Sequence, residues 1–282
     1  MRITTLVEND RLEGRADLTA EFGLSLHVQV GEHQILVDTG TSGVFADNAE
    51  ALGVDLTAVD FAVLSHHHFD HGGGLERFLE INRTAKVYLR RGDLAGRYFR
   101  ALGFIKRPIG IDLELFDRYG DRFEFVEGSP EVAPGMVLIT EIGSTHARPK
   151  GNRHLFVERE GSLVPDPFDH ELVMVVREDD GIVVFSGCSH SGVLNMIEAA
   201  ADRFPGVPIK AVIGGFHLIG LPFFNTMAAS RPEVEDIGRT ILGFSPGKVY
   251  SAHCTGAKAY RVLEGVMGDT LESFHTGTRV EL

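Results

Sequence analysis

Leu64-Ser65-His66-His67-His68-Phe69-Asp70-His71-Gly72-Gly73-Gly74-Leu75 packs four histidines and an aspartate between an apolar run and three glycines. The run before it, Phe61-Ala62-Val63-Leu64, is short and apolar and reads as a buried strand. After the glycines, Leu75, Phe78 and Leu79 restart helical spacing. Imidazole nitrogens and carboxylates are ligands that Zn²⁺, Mn²⁺ and Fe²⁺ accept. Alternate positions on extended backbone share a face, so His66 and His68 suit one ion, while Asp70 and His71, just past the bend, suit a second. His67 points away from both and is expected at the surface or just behind the ligands.

Working outward, the same scheme recurs. Phe22, Leu24, Leu26, Val28 and Val30 alternate with smaller or more polar residues, and Gly31-Glu32 turns the chain into Ile35-Leu36-Val37, which stops at Asp38-Thr39-Gly40. Helical spacing follows from Val44 to Leu52, and Asp55 or Thr57 caps a short turn. Lys86 to Leu89 reads as a strand, and residues 90–135 mix helical and turn signals. In the second half, Ile182-Val183-Val184-Phe185 runs into Ser186-Gly187-Cys188-Ser189-His190, then a helix from Val193 to Ala201. Ala211-Val212-Ile213 leads to Gly214-Gly215-Phe216-His217, and Lys248-Val249-Tyr250 to Ser251-Ala252-His253-Cys254-Thr255-Gly256. Four apolar strands thus end in histidine-bearing loops, where α/β sheets place their sites.

Composition bounds the rest. The 282 residues carry a net charge of −13, which argues against unspecific nucleic-acid binding. Two cysteines, Cys188 and Cys254, make no disulfide framework, and each lies close to a histidine. Met1 to Val7 is no signal peptide, and the longest apolar stretch, 211–224, is interrupted by His217 and shorter than the ~20 residues of a membrane helix. These features predict a soluble cytoplasmic protein with no membrane partner. No linker divides the chain, so residues 1–282 are expected to form one domain with a basic, lid-like insertion around 90–135.

The His-x-His-x-Asp-His pattern at a strand end resembles the metallo-β-lactamase superfamily. The loops Val37 to Gly40, Leu64 to Leu75, Ser186 to His190, Ile213 to Leu218 and His253 to Gly256 are similar to the subfamily named for 7,8-dihydropterin-6-methyl-4-(β-D-ribofuranosyl)-aminobenzene-5′-phosphate synthase. The resemblance implies an α/β fold, an αββα sandwich of two similar halves with one or two divalent ions, zinc first, manganese or iron in its place, at one edge. By the family's order His66, His68 and His190 hold one ion, and Asp70, His71 and His253 the other. The usual dinuclear members have a bridging aspartate where this chain has Cys188, which stands open between a ligand and an inert buried thiol. Asp38 matches the aspartate that steadies the ligand loop through hydrogen bonds.

Residues 90–107 hold six basic side chains against Asp93 alone, with Arg97 and Arg100 the expected clamps for an anionic substrate and a solvated helix face the bland alternative. Arg148, Lys150 and Arg153 form a second basic group. Phe223 and Phe224, after His217, suit the wall of a flat ring. Together these residues predict an enzyme in which a metal-activated water attacks a small anionic, phosphorylated or pterin-like substrate. Asp70 takes the proton and His217, or a basic residue, answers the developing charge. The alternatives are a synthase-type transfer and a non-catalytic metal-containing sensor.

Overall fold

The computed structural model describes residues 1–221 and 226–282. Arg2–Val7 (β1), Ser25–Val30 (β2) and His33–Val37 (β3) form an antiparallel meander, and Gly31 supplies the left-handed turn, φ 57°, between β2 and β3. Helix Val44–Leu52 (α1) then crosses to Phe61–Leu64 (β4), which pairs parallel to β3. The one-turn helix Phe69–Gly72 (α2) and Leu75–Ile81 (α3) lead to Lys86–Arg90 (β5). Arg97–Ala101 (β6) and Ile105–Pro108 (β7) make a hairpin, and Glu114–Arg118 (α4) precedes Phe123–Val126 (β8).

The second half begins with Glu131–Ala133 (β9) and Met136–Ile139 (β10), a hairpin Leu155–Arg159 (β11) and Ser162–Pro165 (β12), and strands Val173–Glu178 (β13) and Gly181–Phe185 (β14). Helices Val193–Arg203 (α5), Arg231–Gly243 (α6) and Ala257–Met267 (α7) alternate with Ile209–Gly214 (β15), Lys248–Ser251 (β16) and Leu271–Glu272 (β17), and Arg279–Glu281 (β18) returns to β1.

Among the described residues two seven-stranded sheets result, β18-β1-β2-β3-β4-β5-β8 and β17-β16-β15-β14-β13-β10-β9. Three apolar clusters define the layers. Leu26, Val63, Met174 and Phe185 lie among the residues packed between the sheets. Phe45, Phe78 and Leu89 join the first sheet to its helices, and Val184, Ile197 and Leu263 join the second to α5, α6 and α7. This is the expected αββα sandwich, with helices covering both outer faces. In each sheet the parallel strands, β3, β4 and β5 in one and β14, β15 and β16 in the other, send their C-terminal ends to the metal-loop edge.

Residues 90–135 differ from a helical insertion. β6 and β7 combine with β11 and β12 into a small antiparallel sheet of order β12-β11-β6-β7, so the basic stretch is a strand hairpin. It is stitched to the metal loop by Phe69 N donating to Ile109 O at 2.8 Å and Ile111 N to His67 O at 3.2 Å. Among the described residues no helix is long and apolar enough to cross a membrane.

Candidate metal centre

β4 ends at Leu64, the chain bends at His66 and His67 to an extended His68, and α2 then turns it, which carries Asp70 and His71 onto the same floor as His66 and His68. The glycines make this possible. A side chain at Gly73 would meet Thr41 O at 2.1 Å, and one at Gly187 would meet Ser65 Oγ at 2.1 Å, so only glycine lets the 39–42, 64–74 and 186–190 loops pack together. Asp38, Ser189, His217 and His253 all sit at positive φ, 46° to 58°, in the loops that form the site. Non-glycine residues hold such conformations at a cost of ~1–3 kcal/mol each, and the surrounding contacts must over-determine them.

Two ligand sets emerge. His66, His68 and His190 bring one ligand atom each within 4.8 Å of one another. Asp70, His71, Cys188 and His253 form the second set on the same criterion. In the second, His71 Nε2 is 3.2 Å from both Cys188 Sγ and His253 Nε2, and Asp70 Oδ2 is 3.3 Å from His253 Nε2.

The imidazoles are oriented from behind. Asp38 Oδ2 is 2.6 Å from His71 Nδ1 and accepts from Ser65 Oγ, while its Oδ1 accepts from Ser65 N, both at 2.8 Å. Ser65 Oγ lies 2.9 Å from His66 Nδ1, Asn152 Oδ1 3.1 Å from His190 Nδ1, and Asn9 Oδ1 3.1 Å from His253 Nδ1. Glu171 accepts from the backbone N–H groups of His190 and Ser191, fixing the 188–191 loop. Burial outweighs these N–H groups and pushes its carboxyl up to about 7. None of Asn9, Asn152 and Glu171 was marked by local sequence pattern, because each reaches its histidine across a long chain separation.

The donor set fits a divalent ion. The Nε2 atoms of His66 and His190 are buried without a hydrogen-bond partner, a costly arrangement for polar atoms unless something coordinates them. Burial first, then neighbouring imidazoles, holds the pKa of His66, His68 and His190 well below the usual histidine value, which keeps them neutral and able to ligate. Burial opposes ionisation of Asp70, but His71 and His253 prevail and hold its carboxyl below the usual range. Burial pushes the Cys188 thiol well up, with Cys254 adding to the shift. A positive ion at this place reverses that tendency.

A cavity of about 580 Å³ opens above both sets, with His68, Asp70, Cys188 and His190 on its floor. Phe22, Phe69, Phe99, Leu155 and Ile219 contribute apolar wall, and Arg107 is the one Lys or Arg lining it among the described residues. His217 also lines it, its ring 4.3 Å from that of His190 and both its nitrogens without a partner. Burial lowers its pKa to about 4, so the ring is neutral at pH 7 and offers an N–H or a lone pair rather than a charge.

Several expectations need correction. Arg97 is 1% exposed and its Nε lies 3.2 Å from Asp166 Oδ2, so it faces the interior and clamps no substrate. Arg100 stacks on Phe156 at 5.3 Å and is absent from the cavity lining. The alternation along β6 and the pairing of Arg107 opposite Phe99 bring Arg107 to the cavity instead. Of the two places expected for His67 it takes the one behind the ligands, buried against His170 and Phe116 and in neither ligand set. In the second basic group Lys150 pairs with Glu233 and Arg148 donates to Pro167 O. Phe223 and Phe224 lie outside the described residues.

The superfamily profile of the metallo-β-lactamases matches residues 18–194. The chain belongs to the metallo-β-lactamase superfamily. It is 32% identical to Tm1679, a metal-dependent hydrolase of the β-lactamase superfamily, with a TM-score of 0.82 over 100% of this chain and 99% of that one. It is 26% identical, over 98% of its length and 95% of the relative's, to the 7,8-dihydropterin-6-methyl-4-(β-D-ribofuranosyl)-aminobenzene-5′-phosphate synthase of Methanocaldococcus jannaschii. Zn²⁺-bound PqqB from Methylobacterium extorquens, 11% identical with a TM-score of 0.55 over the full length of both chains, shares the superfamily's fold. The superfamily usually binds divalent metals, and two of these relatives, a hydrolase and a synthase, bear the names of enzymes.

Proposed function

We propose that this protein is a metal-dependent hydrolase of a small anionic substrate with an apolar, ring-like body. The observation that carries the reading is the convergence of the two ligand sets at the floor of the 580 Å³ cavity, with Arg107 and aromatic side chains in its walls. A divalent ion there, zinc first and manganese or iron in its place, supplies a Lewis acid and lowers the pKa of water towards neutrality. Cys188 and His253 complete the second position with Asp70 and His71, the thiol standing where other members have a carboxylate.

The chain's own groups supply the rest. The ionised Asp70 carboxylate faces the cavity and accepts the proton of the attacking water. His217, neutral, donates an N–H to a substrate oxygen as charge develops on it. Arg107 draws in the anionic group, and the Phe22, Phe69 and Phe99 walls exclude bulk water from the reacting atoms. A second reading, transfer of a group to an acceptor other than water, rests on the synthase relative that spans nearly the whole chain.

Elemental analysis of protein purified without added metal, followed by turnover assays on phosphodiesters, lactones and thioesters, tests the proposal. Bound ion with hydrolysis of an anionic ester supports it. Bound ion with no hydrolysis, but turnover of a pterin diphosphate with an aromatic amine acceptor, shifts the reading to transfer. Bound ion with no turnover at all leaves the non-catalytic sensor.

A further inference from the structure

Behind His68, on the side away from the cavity, lies a second buried polar cluster built by the lid sheet and the β12–β13 loop. Arg97 of β6 is 1% exposed; its Nη1 donates to Ala95 O at 3.0 Å, its Nη2 to Asp93 O at 2.7 Å, and its Nε lies 3.2 Å from Asp166 Oδ2. Asp166 Oδ1 accepts from Phe168 N at 2.8 Å, so one carboxylate oxygen is fixed by the backbone and the other is left for the cluster. His170 Nδ1 accepts from His67 N at 3.0 Å. That bond settles the tautomer: the His170 proton is on Nε2, which faces Asp166 Oδ2 at 3.4 Å. His68, Asp166 and His170 each place a ligand-type atom within 4.8 Å of the others, and His68 Nε2, Asp166 Oδ2 and His170 Nε2 all lack a hydrogen-bond partner.

Three such groups suggest a third cation position, but the guanidinium already occupies the cation's role beside Asp166, and a divalent ion there would face it at close range. The cluster serves His68 instead. An imidazole carries two nitrogens, and His68 belongs to two triads, one with His66 and His190 and one with Asp166 and His170. We propose that Asp166, paired with Arg97 and braced by His170, is the positioning carboxylate for His68: its unpartnered Oδ2 takes the N–H of the unpartnered His68 Nε2, so that Nδ1 is left for the ion. The inference rests on the metal reading of the three-histidine set given above. In this structure the carboxylate and the His68 ring lie within 4.8 Å with no bond between them, and closing that gap gives His68 a partner as Ser65 is for His66 and Asn152 for His190; it also makes the lid sheet part of the metal centre's frame, because Arg97 belongs to that sheet. Carboxylate–histidine–metal arrangements of this kind raise ligand basicity and fix ring orientation.

Cobalt(II) titration of the apo-protein tests it, because d–d absorption reports the geometry of the three-histidine position and thiolate-to-cobalt charge transfer reports Cys188. Asp166→Asn is expected to weaken cobalt binding at the three-histidine position ~10–100-fold and to shift its d–d bands, with the thiolate band unchanged. Asp166→Asn leaves Arg97 uncompensated, so the double variant Arg97→Gln/Asp166→Asn, which buries no lone charge, is titrated beside it and is expected to show the same loss. His170→Asn, whose amide oxygen can still accept from His67 N, is expected to weaken cobalt binding less than either. Unchanged cobalt affinity and unchanged d–d bands in a folded Asp166 variant overturn the positioning role while leaving the metal centre standing. Wild-type protein that takes up no cobalt overturns the metal reading, and this inference with it.

Discussion

The two ligand sets share one loop yet differ in chemistry. His66, His68 and His190 are three neutral imidazoles, and the Nε2 atoms of His66 and His190 have nothing to bond to within the protein. Asp70, His71, Cys188 and His253 partly satisfy each other, through the His71–Cys188 contact at 3.2 Å and the His253–Asp70 contact at 3.3 Å. An ion entering the first set displaces no internal contact. An ion entering the second must separate these pairs and take a proton from a thiol that burial holds protonated. The difference teaches that a site can be preorganised for one ion and merely competent for another. Zinc or cobalt should therefore fill the three-histidine position first.

The largest effect expected is from His66→Ala, which removes one of three ligands from the preorganised set and should abolish both bound ion there and turnover. His67→Ala, one residue away, should keep its metal, since His67 belongs to neither set. Equal metal loss in both variants, measured by elemental analysis of folded protein, would collapse the distinction between the ligand face and the packing face of the segment.

Asp70→Asn comes next. The amide keeps a weak oxygen donor but accepts no proton, so turnover should fall by ~10²-fold or more while the three-histidine ion is retained. Retained activity at full metal content would move the proton acceptor elsewhere, with His217 the first group to examine. Cys188→Ser tests the other set alone: the second ion should bind more weakly and the thiolate-to-cobalt band should vanish, with the first ion unaffected. In the wild-type protein, loading the second position should release a proton and strengthen as pH rises, because the thiol must ionise to ligate; loading of the first should be nearly flat above pH 7, where its imidazoles are already neutral. A pH-independent second step would mean that Cys188 is not a ligand.

The metal loop was legible because its information is local: a strand end, alternation and three glycines place His66, His68, Asp70 and His71 with no knowledge of the remaining chain. The strand ends at Phe185, Gly214 and Ser251 were legible by repetition of the same scheme. What supports the ligands was not. Asn9 and Asn152 are ordinary residues until a distant strand end brings His253 and His190 to them. The reading of Arg97 and Arg100 as substrate clamps failed for the same reason. Charge density in residues 90–107 is a local signal, but whether an arginine faces water, cavity or interior depends on pairing partners, and Asp166 is what takes Arg97 inside.

Arg97 and Arg107, from the same basic stretch, carry the last prediction. Arg97→Gln leaves Asp166 buried beside no cation, and breaking a buried pair of this kind costs ~3–5 kcal/mol, visible as a lowered denaturation midpoint. Arg107 is exposed on β7, lines the cavity and pairs across the hairpin with Phe99, so Arg107→Gln should leave stability within ~0.5 kcal/mol of wild type. Its effect belongs to binding: KM for an anionic substrate should rise about tenfold with kcat nearly unchanged, and the wild-type advantage should shrink at high salt, where an exposed cation is screened. A neutral substrate of the same size should show no such change. If KM for the anionic and the neutral substrate responds alike, the cavity selects by shape and its apolar walls alone, and the argument for an anionic substrate loses the one cation that reaches the cavity among the described residues.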